Sequence, residues 1–269
     1  MIIGLSTASL FSRELTENCF RIVNSLKIPL CEVFLSTYRE YEPSFIDILL
    51  DRIGETKVYS VHTLTQQYEP ELFNVMQRTR EDNEAIFVKC ADAAGRLGAS
   101  YYIFHGPAKF KKLPYVHDYP KLGARLEELR ALMKKYSFGK TDMAYENVHW
   151  AFFNNPEYFD NLKKYTGIKT CLDIKQAKLS GYSSEEYIKC MGKRLTNVHL
   201  CDYNNQGFPT LPGKGMVDFV KLFRTLKEYG YDGPLMIEVY ADNYVDYDEL
   251  ARCYDYLNEC LFQANDNTH

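Results

Sequence analysis

A single-domain α/β fold, the (β/α)8 TIM barrel, is predicted by three features of the sequence. Short runs of β-forming residues alternate about eight times with longer amphipathic segments. Glycines lie at several helix-to-strand junctions, where helix C-caps favour them. The 269 residues contain no linker or low-complexity stretch, and this length is ordinary for one barrel. A doubly wound open sheet is the alternative, but no GxGxxG motif follows the first strand.

The alternation defines the elements in chain order. Runs of alternating or continuous apolar residues predict strands over Met1–Thr7, Leu30–Ser36, Lys57–His62, Ser100–His105, Asp142–Glu146, Ile168–Asp173, Leu195–Cys201 and Pro234–Val239. Helical spacing of apolar residues predicts helices over Arg13–Leu26, Ser44–Ile53, Pro70–Leu97, Tyr119–Tyr136, Pro156–Tyr165, Ser183–Met191, Val217–Tyr229 and Asp246–Phe262. The junction glycines are Gly54, Gly98, Gly167 and Gly230. The barrel is expected over residues 1–264, with a frayed polar tail over residues 265–269.

Composition narrows the functional classes. Lys and Arg number 32 against 36 Asp and Glu, a formal net charge of −4, so the fold as a whole does not attract nucleic acid or an anionic membrane. No apolar run approaches the roughly 20 residues of a membrane span, and the N-terminus lacks the pattern of a signal peptide. The 8 cysteines form no CxxC pair, and several lie in apolar strands. Buried, reduced thiols and a cytoplasmic location are therefore expected.

Metal-competent side chains stand at or near the ends of six successive predicted strands. They are His62, His105, Glu146, Asp173, His199 and Glu238. The C-terminal ends of barrel strands meet at one face, where the active sites of this fold lie. Three carboxylates on one rim would repel one another and raise their own pKa values. A bound dication removes that conflict, so the sequence predicts a divalent metal on this rim.

Four segments in the second half of the chain resemble the xylose-isomerase-like TIM-barrel superfamily. They are CLDIKQA, NVHLCD, LPGKGMVDF and GYDGPLMIEVY, in family order and with similar spacing, and the resemblance extends over nearly the whole chain. The superfamily includes ketose 3-epimerases, other sugar and sugar-phosphate isomerases, inosose dehydratases and endonuclease IV. Its epimerase branch implies one metal on Glu146, Asp173, His199 and Glu238, with Glu146 and Glu238 as the catalytic residues that move the proton.

The activity implied by the resemblance is isomerisation or epimerisation of a sugar, sugar phosphate or related polyol. Proton transfer next to a carbonyl would proceed through a metal-stabilised enediolate, and a positioned base contributes roughly 10²–10⁴-fold. Mn²⁺ or Zn²⁺ is expected, while Mg²⁺ and Co²⁺ also suit these ligands. A keto-sugar or inosose dehydratase shares the same chemistry and is not separated by sequence. The intact ligand set disfavours a non-catalytic sugar-binding barrel, and a homo-oligomer is compatible with the sequence.

Two positions depart from the ketose 3-epimerase pattern. The histidine that the family places three residues after the aspartate of the sixth strand is Gln176 here, and the loop Asp202–Gly207 lacks the family's arginine. Gln176 either hydrogen-bonds a sugar hydroxyl or satisfies a loop backbone group.

Endonuclease IV is the main alternative within the resemblance. Its pattern adds histidines at His62 and His105, so a second metal there would indicate a dinuclear zinc phosphoesterase. The ligands of its third metal are absent, because Gln176 and Pro209 occupy those places. The sugar enzyme is therefore the favoured interpretation, and nucleic acid is not an expected partner.

Further residues are candidates for substrate contact. His62 and His105 hold either a second metal or substrate. Trp150, four residues after Glu146, is a candidate stacking wall, and Lys214 is assigned to substrate binding. Lys109 begins a basic loop that either holds a sugar phosphate or is simply solvated. Inside the second strand, Glu32 either polarises a pocket group or pairs with a neighbouring lysine.

Overall fold

The computed structural model describes residues 1–64, 68–108, 118–151 and 154–266, and at its centre eight parallel strands close into a barrel. The strands are β1 Ile2–Ser6, β2 Leu30–Leu35, β3 Lys57–Thr63, β4 Tyr101–Phe104, β5 Asp142–Glu146, β6 Lys169–Asp173, β7 Leu195–Leu200 and β10 Pro234–Ile237. β1 closes the barrel by pairing with both β2 and β10. The predicted TIM barrel is confirmed, and each predicted strand overlaps an observed one.

Helices surround the barrel between successive strands. They are α1 Thr16–Ser25, α2 Pro43–Arg52, α3 Gln77–Arg96, α4 Tyr119–Tyr136, α5 Pro156–Leu162, α6 Ile174–Leu179, α7 Ser184–Met191, α8 Phe219–Glu228 and α9 Tyr247–Asn265. The junction glycines Gly54, Gly98 and Gly230 adopt positive φ values of 64°, 73° and 77°, which is the C-cap geometry expected. Gly167 does not; its N–H is donated instead to Glu127.

One predicted helix is divided in the structure, and one observed helix was not predicted. Pro70–Leu97 is divided into a 3-10 helix over Glu69–Phe73 and α3, because the side chain of Asn74 accepts a hydrogen bond from Met76 N and turns the chain between them. An additional helix, α6, begins directly after β6, where the side chain of Asp173 caps it. The final helix also reaches Asn265, so the first residue of the predicted tail is helical.

A small hairpin outside the barrel shapes the loop after β7. Its strands β8 Asp202–Tyr203 and β9 Pro209–Thr210 pair antiparallel. The Asp202 carboxylate accepts hydrogen bonds from the backbone N–H groups of Gly213, Gly215 and Val217. A Cβ at position 215 would lie 2.3 Å from Asp202 Oδ1, so this close approach requires glycine.

The apolar core lies mainly between the barrel and its helices. The eight cysteines are free thiols and seven are buried, as the sequence predicts. Inside the barrel a second, smaller apolar cluster is formed by Ile103, Ala144 and Cys171. Within the described ranges, no helix has the length and apolar character needed to cross a membrane.

Candidate metal centre

The alternation of side chains along the strands brings the predicted ligands together inside the barrel. Glu146 ends β5, and Asp173 at the end of β6 lies in register beside His199 on β7. Glu238 follows β10 directly and donates its backbone N–H to the carbonyl of Leu200 at 2.9 Å. The side chains of these four residues, 1 to 8% exposed, are all buried.

His199 links the four side chains. Its Nδ1 lies 3.2 Å from Glu238 Oε2 and 3.5 Å from Glu146 Oε1. Ligand atoms of Glu146, Asp173 and His199 lie within 4.8 Å of one another, and so do those of Glu32, His199 and Glu238. The predicted quartet therefore converges on one small space, which we call the metal centre (Glu146, Asp173, His199 and Glu238).

The donor atoms of this centre fit a divalent cation. Among the described residues, His199 Nδ1 and Glu238 Oε2 are buried and make no hydrogen bond of acceptable geometry, although they lie 3.2 Å from each other. An unsatisfied buried polar atom carries a free-energy penalty, which a cation coordinated by both atoms would remove. Three carboxylates and one imidazole suit Mn²⁺, Mg²⁺, Co²⁺ or Zn²⁺.

His62 and His105 adjoin the centre. Their Nε2 atoms are 2.9 Å apart, and His105 Nε2 lies 2.9 Å from Glu146 Oε2. His62, His105 and Glu146 also form a group with ligand atoms within 4.8 Å. Glu146 thus belongs to both arrangements, and the two histidines are placed either for a second cation or for contact with substrate.

Glu32 lies beneath the centre as a buried anion. It accepts hydrogen bonds from Ser60 Oγ at 2.7 Å, Asn197 Nδ2 at 2.9 Å and Ser6 Oγ at 3.1 Å. Its Oε2 is 3.1 Å from His199 Nε2. The alternative in which Glu32 pairs with a lysine is wrong for the described residues. Instead, Glu32 engages one nitrogen of His199 and leaves Nδ1 facing the other carboxylates.

Glu69 plays a similar part for His105, and the sequence analysis missed it. Glu69 Oε2 accepts a hydrogen bond from the backbone N–H of His105 at 2.8 Å and lies 3.3 Å from its Nδ1. Tyr102 donates its hydroxyl to Glu69 Oε1 at 2.6 Å. These contacts fix the ring so that Nε2 faces Glu146. Sequence alone offered no signal, because an acidic residue near a helix N-terminus usually faces solvent.

Asp173 is held by its backbone and by the helix that follows. Asn147 Nδ2 donates to the Asp173 carbonyl at 3.0 Å, and Asn147 Oδ1 accepts from Asp173 N–H at 2.7 Å. Asp173 Oδ1 accepts from Gln176 N–H at 2.8 Å as the cap of α6. Its other oxygen, Oδ2, lies 3.7 Å from the ammonium of Lys175, another residue that the sequence analysis missed.

Burial and charge compete in setting the ionisation of the centre. Burial alone would raise the pKa of Glu146, but His199 and His105 outweigh it and hold that pKa well below its usual range. Burial lowers the pKa of His105, but Glu146 and Glu69 raise it to about 10. Burial raises the pKa of Asp173 to about 6; Lys175 opposes the rise and Glu146 adds to it. A cation binding here would therefore displace protons.

Two of the predicted substrate-binding residues lie near the centre. The half-buried Trp150 has its ring centroid 5.7 Å from that of His105. Gln176 Oε1 accepts a hydrogen bond from the backbone N–H of His149 at 3.1 Å and lies 2.5 Å from its Nδ1. Of the two interpretations of Gln176, satisfying the loop backbone is the one this geometry favours.

The two predicted lysines lie elsewhere. Lys214 is exposed, and its ammonium pairs with Glu249 on α9, so its position gives no support to a role in substrate binding. Lys109 lies outside the described residues.

The chain matches a known protein family over most of its length. A family model described as "Xylose isomerase-like TIM barrel" matches residues 21–259. The chain belongs to this family, as the resemblance in its second half implied.

Individual relatives share low sequence identity with the chain or match only part of it. The chain is 25% identical over 233 residues to an inosose dehydratase from Clostridium perfringens, covering 82% of this chain and 72% of that protein. It is 36% identical over 72 residues to the L-ribulose-5-phosphate 3-epimerase UlaE from Escherichia coli, which is 26% of this chain and 25% of the epimerase. The chain thus matches about a quarter of that epimerase's length.

Solved structures share the whole barrel. A D-tagatose 3-epimerase-like protein matches with a TM-score of 0.81 at 19% identity, over 100% of both chains. The IOLI protein with a bound zinc atom matches with a TM-score of 0.76 at 15% identity, over 99% of this chain and 100% of that one. At these identities the likeness establishes the fold.

Proposed function

We propose that this protein is a divalent-metal-dependent isomerase or epimerase of a sugar, sugar phosphate or related polyol, acting by proton transfer next to a carbonyl. The observation that carries the proposal is the placement of Glu146 and Glu238. Their carboxylates lie 3.5 Å and 3.2 Å from the same nitrogen of His199. Moving a proton from one carbon position or face to another needs a base that accepts it and an acid that returns it.

The residues that would hold the metal are Glu146, Asp173, His199 and Glu238. When bound, the metal would polarise the substrate carbonyl and so acidify the neighbouring carbon. Burial would raise the pKa of Glu146, but His199 and His105 hold it low, so this carboxyl group is ionised at neutral pH and carries no proton before substrate binds. With Glu238 it supplies the two carboxyl groups that epimerisation requires, one to take the proton and one to return it.

The names of relatives support the substrate class. One relative is an L-ribulose-5-phosphate 3-epimerase and another an inosose dehydratase, and a D-psicose 3-epimerase of the same fold was solved with D-tagatose. The sugars and the inosose in these names each carry a carbon–hydrogen bond next to a carbonyl group. A dehydratase would begin with the same proton removal and then lose water, so it stands as an alternative outcome at this site.

Solvent deuterium exchange tests the proposal directly. The Mn²⁺-loaded enzyme would be incubated in D₂O with D-tagatose, D-fructose, L-ribulose 5-phosphate and an inosose, and deuterium incorporation followed by NMR. We expect exchange into at least one compound, and a loss of about 10²–10⁴-fold in rate for Glu146→Gln and for Glu238→Gln. Glu185→Gln, at an exposed position on α7, is the matched control and should keep the wild-type rate. If none of these compounds incorporated deuterium, the proposal would be contradicted.

A dinuclear zinc phosphoesterase is the second candidate, and the geometry of His62 and His105 is the observation that favours it. Their Nε2 atoms are 2.9 Å apart beside Glu146. Metal analysis of the purified protein separates the two functions. Two metals per chain, one of them lost in His62→Ala, would favour the phosphoesterase, whereas one metal that is indifferent to this change would eliminate it.

A further inference from the structure

Lys175 places a buried ammonium group at the metal centre. The residue is 4% exposed, on the first turn of α6. Its Nζ lies 3.7 Å from Asp173 Oδ2, 3.9 Å from Glu238 Oε1 and 4.6 Å from the centroid of the Tyr240 ring. It therefore contacts two of the four proposed metal ligands and a ring at the end of the barrel.

The distances leave the hydrogen-bonding capacity of this ammonium unused. A lysine carries three N–H donors, and hydrogen bonds to carboxylate oxygens are normally about 2.7–2.9 Å long. Both carboxylate oxygens are further away, and Lys175 donates no hydrogen bond to any of the described residues. The carboxylates offset its charge, while its protons remain available to a ligand oxygen.

The acceptor oxygens of two neighbouring polar side chains are already engaged within the protein. Gln176, the next residue, directs its carbonyl oxygen to the backbone N–H and ring of His149. In the loop after β7, Asp202 binds backbone N–H groups of its own loop. Lys175 is thus the side chain on this segment whose ammonium lies beside Glu238, one of the two proposed acid–base groups.

We propose that Lys175 is a substrate-binding residue that donates a hydrogen bond to a substrate oxygen beside the carbon that Glu238 protonates or deprotonates. The inference rests on the proposed function and defines its ligand as a polyhydroxy carbonyl compound. An acceptor oxygen about 2.9 Å from Nζ lies in the same neighbourhood as Glu238 Oε1, which is 3.9 Å from that nitrogen. The ammonium then stabilises the negative charge that grows on this oxygen as the proton leaves.

A purely structural role for Lys175 makes a different prediction about the metal. If the ammonium served only to orient Asp173 and Glu238, its removal would loosen two ligands and weaken metal binding. If it serves substrate, its removal takes a like charge away from the neighbourhood of the cation, so metal binding is kept or strengthened. Metal affinity is therefore a readout that separates the two roles without reference to turnover.

The experiment compares Lys175→Met, which keeps the length of the apolar stem, with the exposed control Lys178→Met on the same helix. Metal per chain and Mn²⁺ affinity are measured first, and then kcat and KM for deuterium exchange into the compound that the wild type exchanges fastest. We expect Lys175→Met to bind Mn²⁺ at least as tightly as wild type and to lose about 10- to 100-fold in kcat/KM. Lys178→Met should match wild type in both measurements.

Three results would overturn the inference. Wild-type kcat/KM in Lys175→Met would show that the ammonium does not bind substrate. Weakened Mn²⁺ affinity, with activity restored at saturating Mn²⁺, would assign Lys175 to ligand orientation instead. Wild-type protein that exchanges no compound would refute the proposed function, and this inference with it. If Lys175→Met does not fold, Lys175→Gln is measured by the same criteria.

Discussion

Replacing Glu32 by Gln is expected to weaken metal binding about 10- to 100-fold, although Glu32 is not one of the proposed ligands. Its Oε2 lies 3.1 Å from His199 Nε2. Two full charges at that separation would attract by about 5 kcal/mol at an effective dielectric constant of about 20. A histidine that coordinates a cation is neutral and only polarised by it. The expected loss of metal-binding free energy is therefore smaller, about 1.4–2.7 kcal/mol.

The glutamine is expected to fit the same space. Its carbonyl can replace the oxygen that accepts from Ser60 and Asn197, and its amide can face the Ser6 hydroxyl, which is able to accept as well as donate. The loss should therefore appear in metal affinity, measured by competition with a chelating dye, while the folded state persists by circular dichroism. Glu42→Gln, at a surface ion pair with Lys89, is the control. Unchanged affinity in Glu32→Gln would refute the claim that this buried anion orients His199.

The remaining predictions address a second orienting residue, pH and stability. Glu69→Gln is expected to reduce activity about 10-fold or more, because Glu69 fixes the ring of His105; wild-type kinetics in this variant would contradict it. Apparent metal affinity should rise by up to about tenfold per pH unit between pH 6 and 8. Burial lowers the pKa of His199, but Glu238 and Glu32 raise it well above its usual value, so that binding must displace a proton. Calorimetry in buffers of different ionisation enthalpy should detect that release, and a buffer-independent heat would speak against it. Asp142→Asn should lower the free energy of unfolding at pH 7 by about 1–3 kcal/mol, because Arg130 donates two hydrogen bonds to Asp142 at 2.9 and 2.8 Å. Burial opposes ionisation of Asp142, but Arg130 lowers its pKa below the usual value, so this contribution is present at neutral pH and is lost as the pH falls below about 4. Denaturant titrations should show the gap between variant and wild type closing at acidic pH, and an equal gap at both pH values would count against the ion pair.

The barrel and the convergence of the four proposed ligands were predictable from sequence because both depend on local patterns. The strands β5 and β6 end at Glu146 and Asp173, where a polar residue breaks an apolar run. The closure of parallel strands then brings such ends to one face without any knowledge of loops. Helix α4 was predicted residue for residue as Tyr119–Tyr136, since Pro at its start and apolar spacing through its length agree.

The residues that orient the centre were not predictable in the same way. A glutamate within a strand, such as Glu32, faces either the interior or the helices according to a register that sequence alone does not fix. Glu69 acts on His105, 36 residues further along the chain, and only the closed barrel brings them together. Lys175 belongs to α6, a short helix whose start depends on capping by Asp173, itself a proposed ligand. Long-range pairing of buried charges therefore had to come from the structure.

An anomalous-difference map from crystals grown with Mn²⁺ would locate the metal of the proposed centre directly. We expect one strong peak inside the barrel, with a carboxylate oxygen from each of Glu146, Asp173 and Glu238 and the Nδ1 atom of His199 at metal-ligand distances. The same crystals of His199→Ala should lose the peak. A Mn²⁺ peak bound by other residues, or no peak within the barrel at saturating Mn²⁺, would contradict the proposed centre.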